Sequence, residues 1–395
     1  MPLAFRLSIV YASMCLFMGV YLPFFPVWLK AQALSPEQIS LVIAATLFPR
    51  IVSQPLFAFL ADRWEDRRRV VMLLSALSLA FMVGLSLVSG FWLILVLSLC
   101  LMALYPACTP LVESIAMRAT HDEGLDYGRV RLWCSITFIG ASAGAGWLLE
   151  FSGPQMIALC LVAALSVHFA GMALLPRDVK QGLAKPAGWA QFRAAFAFAR
   201  HPLFVLFMVA GSFAQATHAV YYTFGTLIWQ SQGLSDNVIG VLWGIGVIAE
   251  ILLFLFSNWV VARLGVTRLL MLAGLGAMVR WSVLAFEPPL AALFALQALH
   301  GLTFGAAHLG AMHFIVRASP VRLAATAQSL YSALALGVAM GLATLAAGPI
   351  YEALGPRAYL VMAGIGAVSF FAALALGWRW DGGVLADDPA LVAKA

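Results

Sequence analysis

The chain has 395 residues, of which 63% are hydrophobic and only 10% are charged, with a formal net charge of +6. A soluble domain carries roughly 25% charged residues, so the composition excludes a water-soluble globular protein and leaves a polytopic helical membrane protein. The basic residues form short clusters between apolar runs rather than a basic domain, so the chain has no nucleic-acid partner and the lipid bilayer is the surface it meets.

A helix needs about 20 apolar residues to cross a bilayer. In chain order, twelve stretches qualify: 7–29, 38–60, 70–89, 92–117, 132–149, 155–175, 202–228, 237–261, 269–286, 290–316, 325–350 and 358–378. The first, with Ala31-Gln32-Ala33 behind it, has the pattern of a cleavable signal peptide. It is kept as a span because residues 21–40 return as residues 221–240. Tyr21 matches Tyr221, Phe24 matches Phe224, Gln32 matches Gln232, Leu34-Ser35 matches Leu234-Ser235, and Ile39 matches Ile239. The register continues to Arg63 and Arg68, which align with Arg263 and Arg268. Two bundles related by such a repeat can rock about a site held between them.

Most connections are short. The long one, 176–201, carries Arg177, Lys180, Lys185, Arg193 and Arg200, and serves as the linker between the copies. The expected organisation is an all-α membrane protein of twelve transmembrane helices in two pseudo-symmetric six-helix bundles. The first bundle covers 1–178, the cytoplasmic linker 179–200, and the second bundle with a short cytoplasmic tail 201–395. With both termini in the cytoplasm, only Lys30 and Arg357 fall outside, while Arg50 and Arg280 fall within spans. Within the linker, Trp189 to Arg200 reads either as a helix on the inner membrane face or as the start of span seven. Cys15, Cys100, Cys108, Cys134 and Cys160 lie in apolar stretches without C-x-x-C spacing and read as small apolar residues, with no disulfide or metal expected.

The loop after span two holds Ala61-Asp62-Arg63 followed by Arg67-Arg68-Arg69, and Asp126-Tyr127-Gly128-Arg129-Val130-Arg131-Leu132-Trp133 opens span five. The first segment resembles the G-x-L-A-D-R-x-G-R-R loop motif of the major facilitator superfamily. Ala58 stands where the first glycine is expected, and Glu65-Asp66 replaces the second. The second segment is similar to the opening of span five in lactose permease and phenylpropionate permeases. His218-Ala219-Val220-Tyr221-Tyr222, Trp229-Gln230, Gly244 to Glu250, Arg280-Trp281 and Leu299-His300-Gly301 extend the likeness to span ten. The phenylpropionate-permease branch fits best. The resemblance implies a transporter localised in the plasma membrane, the inner one in a bacterium.

A charge at mid-membrane costs about 3 kcal/mol on insertion scales, so each is a functional candidate. Glu113 and Arg131 lie 18 residues apart on successive antiparallel spans. Arg offers a two-point fork for hydroxyls or a carboxylate, and Glu accepts from hydroxyls or locks the Arg. The resemblance implies that this pair holds substrate. Phe138, two turns past Arg131, offers a ring for stacking. Arg50 occupies the repeat position of Glu250 and reads as a charge partner for a carboxylate substrate or as a contact to carbonyls. His218 with Tyr222 gives span seven a polar-aromatic face, for substrate or for the interfacial belt.

Glu250, Arg280 and His300 match, in order, the glutamate, arginine and histidine that link sugar to proton in lactose permease. Thr303 stands where that permease has a further glutamate, so the proton falls to Glu250, Glu113 or a histidine such as His300 or His308. His308 is two turns beyond His300 and, on a regular helix, about 80° around it. His313 lies on another face, and His168 is expected to pack. Asp62 and Arg63 are candidates for a cytoplasmic gate.

These readings combine into a monomeric proton-coupled symporter of a small organic solute. It works by alternating access about a cavity between the halves, with no cofactor and no metal. The resemblance favours an aromatic carboxylate such as 3-phenylpropionate as the substrate, with a sugar or nucleoside as the alternative. A sensor that binds ligand without net transport is an alternative of another class. An intramembrane enzyme is disfavoured, because H-E-x-x-H is absent and no Ser or Cys is paired with a base.

Overall fold

The computed structural model describes residues 1–64, 66–176 and 189–385, and every regular element among them is helical. Lipid offers no partners to backbone N–H and C=O groups, so apolar runs of this length close their hydrogen bonds internally. Ten of the helical stretches are long and apolar enough to cross a membrane.

The first part of the chain forms α1 (Leu3–Ala31), α2 (Pro36–Leu47), α3 (Pro49–Arg63), α4 (Arg67–Leu87), α5 (Phe91–Leu104), α6 (Cys108–Asp122), α7 (Tyr127–Ser152) and α8 (Met156–Met172). Next come α9 (Trp189–Ala199), α10 (Pro202–Ala216), α11 (Ala219–Ser231), α12 (Asp236–Leu255), α13 (Ser257–Leu264) and α14 (Val266–Leu284). The last are α15 (Leu290–Ala298), α16 (Ala307–Ala318), α17 (Ala324–Tyr331), α18 (Met340–Leu354) and α19 (Ala358–Arg379). Gly301–Ala306 and Ser332–Ala339 wind as π-helix.

Helix boundaries have local causes. Ser35 caps α2 in a reciprocal box, accepting from the Gln38 amide at 3.2 Å while its own amide donates to Gln38 Oε1 at 3.0 Å. Pro49 has no N–H to donate to Ala45 and its ring crowds that carbonyl, which separates α3 from α2 at Phe48. The Asp66 carboxylate caps α4 and that of Asp126 caps α7.

The described residues form two compact units. One draws on Met1–Ala184 and Tyr222–Ile245, the other on Lys185–Tyr221 and Gly246–Ala395. In the first, α1, α4, α6, α7 and α8 pack around Leu7, Val10, Leu74, Leu111 and Ile115. Lipid tails supply little drive between helices, so small residues that admit close backbones hold them together. A Cβ on Gly19 would stand 2.7 Å from the Phe138 carbonyl oxygen on α7. Residues 222–245 join this unit by the same device: a Cβ on Gly146 would lie 2.2 Å from the Asp236 carbonyl oxygen, and one on Gly240 would lie 2.2 Å from that of Ser142. In the second unit, Phe207 stacks on Phe314 at 4.1 Å beside Leu270, Tyr331 and Leu376. Trp92, Trp147, Phe151, Trp259, Phe371 and Trp378 are exposed, an exterior suited to hydrocarbon and its interfaces.

Two readings of the sequence are settled here. Residues 189–199 form a helix of their own, α9, separated from α10 where the His201 ring accepts from the Leu203 amide at 3.2 Å. The cysteine reading is corrected: Cys15 on α1 and Cys134 on α7 are joined by a disulfide, with Cα atoms 5.0 Å apart. Their separation of 119 residues hides the pair from any spacing rule, because only the packing of α1 on α7 brings them together. Cys100, Cys108 and Cys160 are free.

Candidate functional site

The first unit gathers a polar group on α1, α6 and α7. Arg131 Nε lies 3.7 Å from Glu113 Oε1, so the two residues paired by sequence do meet, although loosely. Glu113 Oε2 accepts from the Tyr127 hydroxyl and, at 3.0 Å, from the Tyr11 hydroxyl. Tyr127 precedes Arg131 by one turn, so both project from one face of α7. Cys134 and Phe138 follow along that face, and Phe138 is half-buried. The Arg131 side chain is 62% exposed against 21% for that of Glu113, so a ligand can reach the arginine more easily than the acid.

Arg50 is half-buried at the start of α3, just past the break at Phe48. No described residue gives it a hydrogen bond or ion pair. Tyr222 is half-buried and stacks on Trp243 at 6.1 Å, while the Trp243 indole donates to Thr226 at 3.0 Å.

The second unit buries a larger polar cluster. Arg280 is fully buried, and its guanidinium donates to His300 Nδ1 at 3.2 Å, Thr303 Oγ1 at 3.0 Å and Gln297 Oε1 at 2.8 Å. The cation also sits over the rings of Trp281 and Tyr221, at 4.5 and 4.8 Å from their centroids. Tyr221 donates to the same Gln297 oxygen at 3.0 Å. His300 Nε2 lies 4.0 Å from Glu250 Oε2, so the histidine stands between the arginine and the acid.

These directions fix proton positions. A guanidinium only donates, so His300 Nδ1 carries a lone pair and its proton is on Nε2, toward Glu250. His218 is fully buried, with Nδ1 3.2 Å from the Gln215 carbonyl and Nε2 3.1 Å from Thr303 Oγ1. A carbonyl only accepts, so His218 Nδ1 donates to it and Nε2 receives the Thr303 hydrogen. Thr303 thereby joins Arg280 to His218. His218, expected beside Tyr222 for substrate or for the interfacial belt, has its side chain in this cluster.

His308 is half-buried in a ring stack: His300 faces Phe304 at 5.3 Å and 7°, and Phe304 faces His308 at 6.2 Å and 2°. The 80° offset expected on a regular helix does not apply here. The π turn of Gly301–Ala306 changes the phase and aligns the three rings.

The profile of the MFS_1 like family matches residues 4–361. The chain belongs to that family. It is therefore a membrane transporter of the major facilitator type and not an enzyme. It is 32% identical over 355 residues to a probable 3-phenylpropionic acid transporter of Escherichia coli K12, covering 87% of this chain and 90% of that one. It is 29% identical over 338 residues to the maltose permease of Geobacillus stearothermophilus, covering 85% and 84%. In fold it is similar to the crystal structure of the nucleoside transporter NupG, at a TM-score of 0.82 and 18% identity, covering 96% of this chain and 100% of that one.

Where α3 of this MFS_1-like transporter ends and α4 begins, Asp62 pairs with Arg67, whose Nη2 and Nε lie 2.7 and 3.2 Å from Oδ1. Arg63 is exposed, and Glu65 of the same motif lies outside the described residues. His168 packs as expected and also meets the Ser75 hydroxyl at 3.1 Å. Sequence reasoning missed Tyr11, Tyr127, Gln297 and the bridging role of Thr303. Tyr127 and Gln297 carried a signal, since each is a polar residue within one turn of a named candidate. Tyr11 carried none, because α1 reaches the site only through tertiary packing.

Proposed function

We propose that this transporter is a proton-coupled symporter of a small aromatic carboxylate such as 3-phenylpropionate, working by alternating access of its two repeated halves. The observation that carries the substrate class is the 32% identity, over most of both chains, to the probable 3-phenylpropionic acid transporter. The exposed Arg131 side chain supports it, since a guanidinium binds a carboxylate in two-point geometry. Arg50 adds a second cation that meets no acid among the described residues. Phe138, and Tyr222 with Trp243 beside it, offer aromatic faces.

Proton coupling rests on the line Arg280, His300 and Glu250. Glu250 faces the nitrogen of His300 that already carries a proton, and the arginine's hold on Nδ1 controls whether that imidazole can accept a second one. His308, at the far end of the ring stack, continues this line. The driving force is then the proton gradient, without a cofactor. Asp62, paired with Arg67, and Arg63 beside it end α3 next to a loop suited to gating.

Twelve crossings follow if the apolar helix Met156–Met172 spans, and if Val321–Arg379 crosses twice around the turn at Gly355. That topology places the repeated halves at 1–178 and 201–395, both termini in the cytoplasm and the protein in the plasma membrane as a monomer. A sugar or nucleoside is a second reading, favoured by the maltose-permease relative and by a Glu113–Arg131 pair that also suits hydroxyls.

The test is uptake of labelled 3-phenylpropionate into proteoliposomes under an imposed pH gradient, with an uncoupler and with protein-free liposomes as controls. Protein-dependent uptake that the uncoupler abolishes is expected. Uptake equal to the protein-free control would overturn the aromatic-acid reading, and uptake indifferent to the gradient would overturn proton coupling.

A further inference from the structure

A carboxylate and a guanidinium that are free to meet settle into a two-point pair, which uses up the fork. Glu113 and Arg131 do not. Their contact is one-sided, from Nε to Oε1, and at 3.7 Å it is too long for a hydrogen bond. The reason lies on the other carboxylate oxygen. Oε2 accepts from the hydroxyls of both Tyr127 and Tyr11, and those hydroxyls are 3.3 Å apart.

The tyrosines are themselves fixed. Tyr11 is 1% exposed in the core of the first unit, and its ring meets that of Tyr127 edge-on at 6.1 Å and 82°. Tyr127 stands one turn before Arg131, so α7 presents the hydroxyl and the guanidinium side by side. The terminal nitrogens of Arg131 meet no acceptor among the described residues, and its side chain is 62% exposed.

We propose that Tyr11 and Tyr127 are positioning residues: by holding Glu113 through Oε2 they keep the fork of Arg131 open to the carboxylate of a ligand. This rests on the reading of Arg131 as a carboxylate binder. Without the two hydroxyls, Oε2 is released to turn toward the terminal nitrogens of Arg131, the guanidinium already beside the carboxylate. Glu113 then closes onto the fork and competes with any anionic ligand. The tyrosines thus determine whether the acid beside the site excludes an anion or tolerates it.

The test compares wild type, Tyr11→Phe/Tyr127→Phe and Tyr11→Phe/Tyr127→Phe/Glu113→Ala. The first readout is modification of Arg131 by phenylglyoxal, followed by peptide mass spectrometry. Arg131 is expected to react in wild type, about tenfold more slowly in the double variant, and readily again in the triple variant, a change on the scale of one charge-assisted hydrogen bond. A merely misfolded double variant would not be rescued by a further truncation. Equal labelling in wild type and double variant would overturn the proposal, as would a triple variant that stays slow. The second readout is equilibrium binding of 3-phenylpropionate, for which the same loss and recovery are expected. If labelling follows the pattern while wild type binds no 3-phenylpropionate, the positioning role stands and the substrate reading falls. If wild type and double variant bind it equally, the positioning role falls.

Discussion

Ala33 and Gly233, 200 residues apart, hold the same left-handed backbone conformation, with φ of 62° and 82°. Around each, the chain makes the same helix stop. The Gln32 and Gln232 amides bond the carbonyls of Trp28 and Ile228, and those of Leu34 and Leu234 bond Leu29 and Trp229. The Ser35 and Ser235 hydroxyl oxygens then accept from the Gln38 and Val238 amides of the next helix, at 3.2 and 3.5 Å. A residue with a Cβ pays about 1 kcal/mol in this conformation and glycine pays none. Gly233→Ala should therefore lower stability by about 1 kcal/mol. No atom within 4 Å would crowd the added methyl, so backbone strain alone is read. Ala33→Gly should give a smaller gain, since glycine's freedom in the unfolded chain offsets part of the relief. Thermal midpoints in detergent check both, and identical midpoints in the three proteins would refute the strain argument.

Arg131→Lys is expected to weaken 3-phenylpropionate binding by about tenfold or more, because an ammonium cannot reproduce the two-point fork. Charge is kept, so a loss reports geometry rather than electrostatics. Binding measured directly on purified protein is the check. Unchanged affinity would remove Arg131 from the ligand site.

The helices were legible because membrane spans are long and uninterrupted, and the expected stretch 358–378 is observed as Ala358–Arg379. The doubled corner at Gln32 and Gln232 was legible because it needs particular residues at fixed offsets. The site was legible where a charge broke an apolar run, as at Glu113, Glu250 and Arg280, while Arg131, just before its span, was found by its spacing from Glu113 and by resemblance. What a charge meets was not. Tyr11, Gln297 and the Cys15–Cys134 bridge are tertiary facts, set by which helix faces which. The shared ring stack of His300 and His308 depends on a π turn, and no periodicity rule anticipates one.

The disulfide makes a countable prediction. Denatured without reductant, the protein should show three reactive thiols, from Cys100, Cys108 and Cys160, and five after reduction. Thiol titration with mass spectrometry of the Cys15 and Cys134 peptides checks it. Five thiols before reduction would mean that α1 and α7 are held by packing alone. If the bridge is present, Cys15→Ser/Cys134→Ser should lower the thermal midpoint, because a crosslink over so long a stretch of chain restricts the unfolded state.

Glu250→Gln should abolish uphill uptake while leaving exchange of substrate across the membrane intact. His300 presents its Nε2 proton toward Glu250, at 4.0 Å, and its Nδ1 lone pair to Arg280. In that arrangement the imidazole takes a second proton only when Arg280 releases Nδ1, so the acid is the group that loads and unloads first. Gln keeps the size and polarity of the side chain but cannot titrate. Exchange moves one substrate for another with no net proton transfer, so it needs no titrating group. Counterflow of labelled substrate in proteoliposomes measures exchange, and accumulation under a pH gradient measures coupling. Loss of both would mean that Glu250 serves binding or folding. Survival of accumulation would move the proton to another group, with His300 and Glu113 next in line.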